Sequence, residues 1–180
     1  MSLQSVCQCN ERLLSELIEA IKTLPSNSYQ AEVCTDNSQA VSQKIGAHVR
    51  HIIEFYQCFF AGLEHKQINY DERKRDPECE INRVSALKTL LSITQQLASL
   101  ASNPSTTINL ALSASIDTEG NTVSTESSPV RELLFLQSHA THHMAMINLL
   151  FQASGNEPPK DLGVATSTLI YRKEQAMSSD

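Results

Sequence analysis

The sequence predicts an all-α fold, a four-helix bundle with a small β-hairpin between its third and fourth helices. Three observations carry that expectation. Apolar residues recur every three to four positions in four long segments, the spacing of one helix face. Proline, glycine, serine and asparagine punctuate those segments where a helix starts or stops. One stretch alternates instead, with turn residues at its centre.

The first helix is expected over residues 4–24, with Leu14, Leu17, Ile18 and Ile21 on one stripe and Pro25 as its stop. A polar loop, 26–37, leads to the second helix, expected over 38–64. Its stripe is Ile45, Val49, Ile52, Ile53, Tyr56, Phe60 and Leu63. The third helix, 83–101, follows Asn82 as N-cap and carries Val84, Leu87, Leu90, Leu91, Thr94 and Leu97. The fourth, 129–153, begins at Ser128-Pro129, where serine caps and proline takes the first helical position, and ends at Gly155. Between the third and fourth helices, residues 106–126 read as a hairpin turning on Asp117-Thr118-Glu119-Gly120-Asn121. The tail, 156–180, is expected to pack along the bundle, with only its last four residues fraying.

Composition narrows the function. The chain has 180 residues, enough for a single domain with its own core, and a formal charge of −6. Acidic balance argues against nucleic-acid binding, which needs clustered Lys and Arg. The one basic run, Arg73-Lys74-Arg75, is interleaved with Asp71, Glu72 and Asp76. No apolar run approaches the ~20 residues that cross a bilayer, so no membrane role is expected. The N-terminal residues do not read as a signal peptide, and five cysteines, an odd number, suggest free thiols in a cytoplasmic protein. Cys7 and Cys9 are too close together for a zinc knuckle.

The chemistry lies in the histidines. His139 and His143 are four apart, so both sit on one face of the last helix, one turn apart. Leu136, Ile147 and Leu150 share that stripe, so the pair points inward, and two imidazoles so placed can converge on one metal ion. His142 lies about 100° around from His143, toward a flank. A metal site needs at least a third ligand, and the second helix offers His48 and His51. Periodicity places His48 nearer the apolar stripe and mildly favours it. Each histidine can also be a core residue satisfied by a hydrogen bond.

The segments His48-Val49-Arg50-His51-Ile52-Ile53-Glu54-Phe55-Tyr56 and His139-Ala140-Thr141-His142-His143-Met144-Ala145-Met146-Ile147 resemble the DinB/YfiT-like superfamily of metal-binding four-helix bundles. The stretches 69–76, 131–139 and 163–169 resemble an uncharacterised branch of it. The likeness covers roughly residues 11–152 and rests on the order and spacing of the set. It implies one histidine from the second helix and a His-x-x-x-His pair from the last, which fall on His51, His139 and His143. The resemblance thus prefers His51 where periodicity prefers His48, and His48 stays as the alternative. It implies zinc or nickel, with water at the remaining positions. It also implies a small-molecule substrate, with a low-molecular-weight thiol as one candidate, and is compatible with a homodimer.

Other residues have two readings each. His48, His142 and Glu132 are candidates for a further ligand or an outer partner, although Glu132 also suits a first-turn glutamate favoured by the helix dipole. Tyr70, Arg73 and Arg75 could form a substrate loop or serve to fix the long connection. Arg50 and Glu54 read as an exposed i, i+4 ion pair. Three functions compete: a metal-dependent S-transferase or hydrolase, a bundle with a structural or interaction role for its metal, and a helical protein whose histidines only pack.

Overall fold

The computed structural model describes residues 2–25, 27–34, 42–103 and 109–178. Helix α1 is Leu3–Thr23, α2 Ile45–His65, α3 the short Glu78–Ile81, α4 Arg83–Ser102, α5 Pro129–Ala153 and α6 Thr166–Met177. The strands are β1 Val33–Cys34, β2 Ser42–Gln43, β3 Gln67–Asn69, β4 Leu110–Ser115 and β5 Thr122–Ser127. The expected class holds: α1, α2, α4 and α5 form the bundle, and the hairpin β4–β5 is the insertion.

The caps behave as the sequence indicates. Asn82 accepts hydrogen bonds from the amides of Val84 and Ser85, and Ser128 accepts from that of Arg131 with Pro129 next to it. In the hairpin turn, Asp117 Oδ1 accepts from the amides of Glu119 and Asn121, and Gly120 takes a positive φ of 87°. The Asn121 side chain also donates to Asp117 Oδ2, and this bond, followed by those from the amides, holds the carboxyl below its ordinary pKa.

Three expectations are corrected. The second helix begins at Ile45, because Ser42–Gln43 instead pairs antiparallel with Val33–Cys34; the earlier start, 38–41, lies outside the described residues, as do 106–108 of the expected hairpin. The buried stripe of α4 is Ala86, Leu90, Ile93, Leu97 and Ala101, while Val84 and Leu91 face solvent. The two alanines form part of the inward face, and a hydrophobicity count discounts them. The tail is anchored at Leu162, which is buried, but α6 buries none of its residues.

In the bundle, α1 lies beside α4 and α5, and α2 beside the same two. Tyr56 of α2 spans from α2 to α1, donating to Asn10 Oδ1 at 2.5 Å, while Asn10 Nδ2 donates to the carbonyls of Val6 and Leu133. One buried side chain thus ties α1, α2 and α5. The hairpin is attached through β3, which leaves the end of α2 and pairs parallel with β4, Gln67 opposite Ala111.

The start of α2 is fixed tightly. Gly46 donates its amide to Tyr29 O, and Tyr29 donates to Cys79 O at 2.6 Å. A Cβ at Gly46 would lie 2.1 Å from Glu80 O, so only glycine lets the helix approach α3 here. Gly163, at φ 74°, similarly lets the tail press on the backbone of α5 at Ala145. Among the described side chains, Cys7, Cys9, Cys58 and Cys79 are free thiols. No described helix is long and apolar enough to cross a membrane.

Candidate metal centre

Helices α2 and α5 pack side by side and carry the histidines to one place. His51, His139 and His143 each offer a ring nitrogen, and the three nitrogens lie within 4.8 Å of one another. Ring centroids are 5.1 Å apart for His51 and His139, 4.5 Å for His51 and His143, and 4.6 Å for His139 and His143. His139 and His143 meet as one turn of α5 dictates. His51 is brought in because the flank it occupies on α2 is the flank that faces α5.

The rings are neutral. Burial, followed by the neighbouring rings, depresses His143 to about 3 and His51 to about 4, with the Arg73 and Arg50 guanidinium groups also acting on His51. Burial likewise lowers His139 and His48. Neutral imidazoles have lone pairs to give, as a metal ligand must. The set fits a divalent cation on a second ground. His139 Nε2 is buried and has no hydrogen-bond partner, a cost of about 1–3 kcal/mol unless something else takes its place.

An aromatic wall orients the rings. Phe55 stacks on His139 at 4.1 Å and lies 4.8 Å from His51. Tyr70 also stacks on Phe55, at 5.1 Å and 12°, with the Arg73 guanidinium 5.0 Å from the Phe55 ring centroid. A cavity of about 440 Å³ is lined by His48, His51 and His143 together with Gln43, Lys44, Arg50 and Glu80.

The remaining candidates lie outside the three-His cluster, although His48 touches it. His48 is half-buried, its Nδ1 3.0 Å from His143 Nδ1 and its Nε2 3.1 Å from Gln43 Oε1. His142 is exposed on the flank, its ring meeting that of His143 edge-on at 5.2 Å. Glu132 is fully buried and bonded to Ser127, to Arg131 at 2.7 Å and to the Tyr70 hydroxyl at 2.9 Å, and none of these bonds reaches an imidazole. Burial, then that carboxylate, push the Tyr70 phenol far up, so it stays a donor.

Tyr70 and Arg73 are not on the rim of the histidine cavity. Arg73 donates to Tyr70 O and pairs with Glu54, and it lines a separate cavity with Cys58, Glu72 and Lys74. Arg75 is exposed. The Arg50–Glu54 pair is not the exposed pair expected from spacing. Glu54 is only 2% exposed, and besides Arg50 it holds Arg73 and the amide of Asp76, while Arg50 also reaches Glu80 at 3.1 Å. These charges fix the connection from α2 to α3. Gln43, at the end of β2, was not visible as a site residue in the sequence, because a lone glutamine in a polar stretch carries no pattern.

The family model of the DinB family matches residues 1–174. The chain belongs to the DinB family. The expected superfamily and the helical bundle with its β insertion follow from that membership, and a three-His cluster between α2 and α5 is compatible with a metal-binding DinB protein. The chain is also similar to "FK506-binding protein 5" of Rhizopus delemar, at 35% identity over 109 residues, which is 60% of this chain and 28% of that protein. This DinB chain therefore spans under a third of the length of that relative. No solved structure matches it with significance.

Proposed function

We propose that this chain is a metal-dependent transferase or hydrolase acting on a small molecule, with His51, His139 and His143 holding one zinc or nickel ion. The observation that carries the reading is the convergence of three neutral imidazoles, one (His139) with an orphaned buried nitrogen and two (His51 and His143) on the wall of an open cavity. A divalent ion with open positions supplies, when bound, a lowered pKa for a water or small thiol near neutral pH.

The chain's own residues then have defined tasks. Three uncharged ligands leave the ion's charge undiminished. Phe55 excludes water from one side and keeps the His139 ring in register. Lys44 and Arg50 on the rim are cationic, although Glu32 and Glu80 pair with them, so the mouth is balanced in charge and suits a small polar substrate. A cytoplasmic location, support for which comes from the free thiols, and a homodimer belong to the same proposal.

The second reading is a bundle whose metal is structural. It is favoured by the 3.0 Å approach of His48 to His143, which would let a fourth ring close the site. Metal analysis of tag-free protein tests the first step. Wild type is expected to hold zinc or nickel stoichiometrically, and His139→Ala and His143→Ala to lose it. Equal trace metal in all three would sink the metal reading. For the loaded protein, a screen with small thiols and electrophiles tests transfer, and four protein ligands by X-ray absorption would favour the structural reading.

A further inference from the structure

We propose that Gln43 and His48 form a positioning relay that leaves the Nε2 lone pair of His143 free for the metal. The inference rests on the metal reading above. His48 uses both ring nitrogens: Nε2 faces Gln43 Oε1 at 3.1 Å and Nδ1 faces His143 Nδ1 at 3.0 Å. Near pH 8 both rings are neutral, each with one N–H and one lone pair. An amide oxygen only accepts, so the His48 hydrogen sits on Nε2. His48 Nδ1 is then a bare acceptor. His143 Nδ1, 3.0 Å away, must donate, since two lone pairs would repel at that distance. The His143 proton is therefore on Nδ1, and its lone pair is on Nε2.

The opposite order is self-defeating for a ligand. If the Gln43 amide donated, His48 would carry its hydrogen on Nδ1, and His143 would be protonated on Nε2, with its lone pair spent on His48. Of the two proton orders, only the one that starts from Gln43 Oε1 leaves His143 able to ligate with His48 in place. Ligating histidines commonly donate their second nitrogen to an oxygen; here a histidine stands in that place and needs its own orienter.

The fold supplies that orienter. Gln43 ends β2, its backbone opposite Val33 of β1, and α2 begins two residues later at Ile45. The short ribbon thus sets the glutamine against His48, one turn before His51 on the same helix. His48 acts through His143 and is a positioning residue.

The test is zinc titration of the full chain against a competing chelator at pH 8, with the imidazole nitrogens read by long-range ¹H–¹⁵N NMR. His48→Leu is expected to lose roughly 10- to 100-fold in zinc affinity, the range for outer partners of a ligand. His48→Asn, whose amide oxygen can take the place of Nδ1, restores most of it. Gln43→Glu, which can only accept, keeps the affinity of the wild type. In the zinc-loaded spectrum His143 carries hydrogen on Nδ1 and metal on Nε2, while His48 carries hydrogen on Nε2 and no metal. Zinc on His48 Nδ1 overturns the proposal, as does a His48→Leu affinity equal to wild type. So does a loss as complete as in His139→Ala that His48→Asn does not rescue. A wild type that takes up no zinc would instead defeat the metal reading. The spectrum of the metal-free protein separates the two failures, because His143 protonated on Nε2 there overturns the relay itself.

Discussion

Two buried polar groups in this bundle are built in opposite ways. Around Glu132 the chain supplies every partner: the hydroxyls of Ser127 and Tyr70 and the guanidinium of Arg131 surround one carboxylate. Around His139 the described residues supply rings, and Nε2 has no hydrogen-bond partner among them. The first group is closed and holds the hairpin and the turn after β3 to α5. The second is open and faces a cavity through His51 and His143. Buried polar groups are nearly always paired, so an orphaned ring nitrogen beside two other imidazoles is the feature that the metal reading explains.

The largest expected effect bears on the open group. Zinc at 1,000 times its Kd should raise the stability of the wild type by about 4 kcal/mol, read as a rise in Tm, and should leave His139→Ala unmoved. The closed group should respond the other way. Tyr70→Phe takes a donor from a buried carboxylate and should cost roughly 1.5–3 kcal/mol in denaturant unfolding, with zinc uptake unchanged. Loss of zinc in that variant would show that the two groups are coupled through Phe55. Tyr56→Phe removes a neutral bond to Asn10 and should cost about 1 kcal/mol, again without touching zinc uptake.

The last comparison is the pH dependence of the metal-free protein, whose half-buried rings are partly screened by water. His51 and His143 titrate near 4 and 3 in the fold, against an ordinary value of 6.5. The unfolded chain therefore takes up protons first as pH falls. Stability should be full above about pH 6.5 and decline as pH drops from there toward 4, with His51→Ala and His143→Ala flattening the decline. A metal-free stability that rose on acidification would contradict the buried, neutral state of the rings.

Much of the site was legible. The His139–His143 pair needs only the pitch of a helix, and the caps at Asn82 and Ser128 need only local backbone donors. The choice on α2 was harder. Periodicity ranks residues by their angle to the apolar stripe, and so preferred His48. The three-His cluster between the two helices is reached from the edge of that stripe, where His51 lies, while His48 meets His143 of α5 as well. The Arg50–Glu54 pair forms as its spacing predicts, but the expectation that it is exposed failed for a related reason: i, i+4 spacing brings two charges together and does not say that another segment will cover them.

The sequence by itself determined the four bundle helices, the helix starts capped by Asn82 and Ser128, the hairpin turn and the inward histidine pair, because each depends on residues within a few positions of one another. Only the tertiary structure decided the partners: His51 and His48 both beside His143, β3 beside β4, and Gln43 beside His48. Those contacts depend on which faces of separate elements meet once the core is packed. A lone glutamine at the end of a two-residue strand gains its role only from the histidine that packing sets 3.1 Å away.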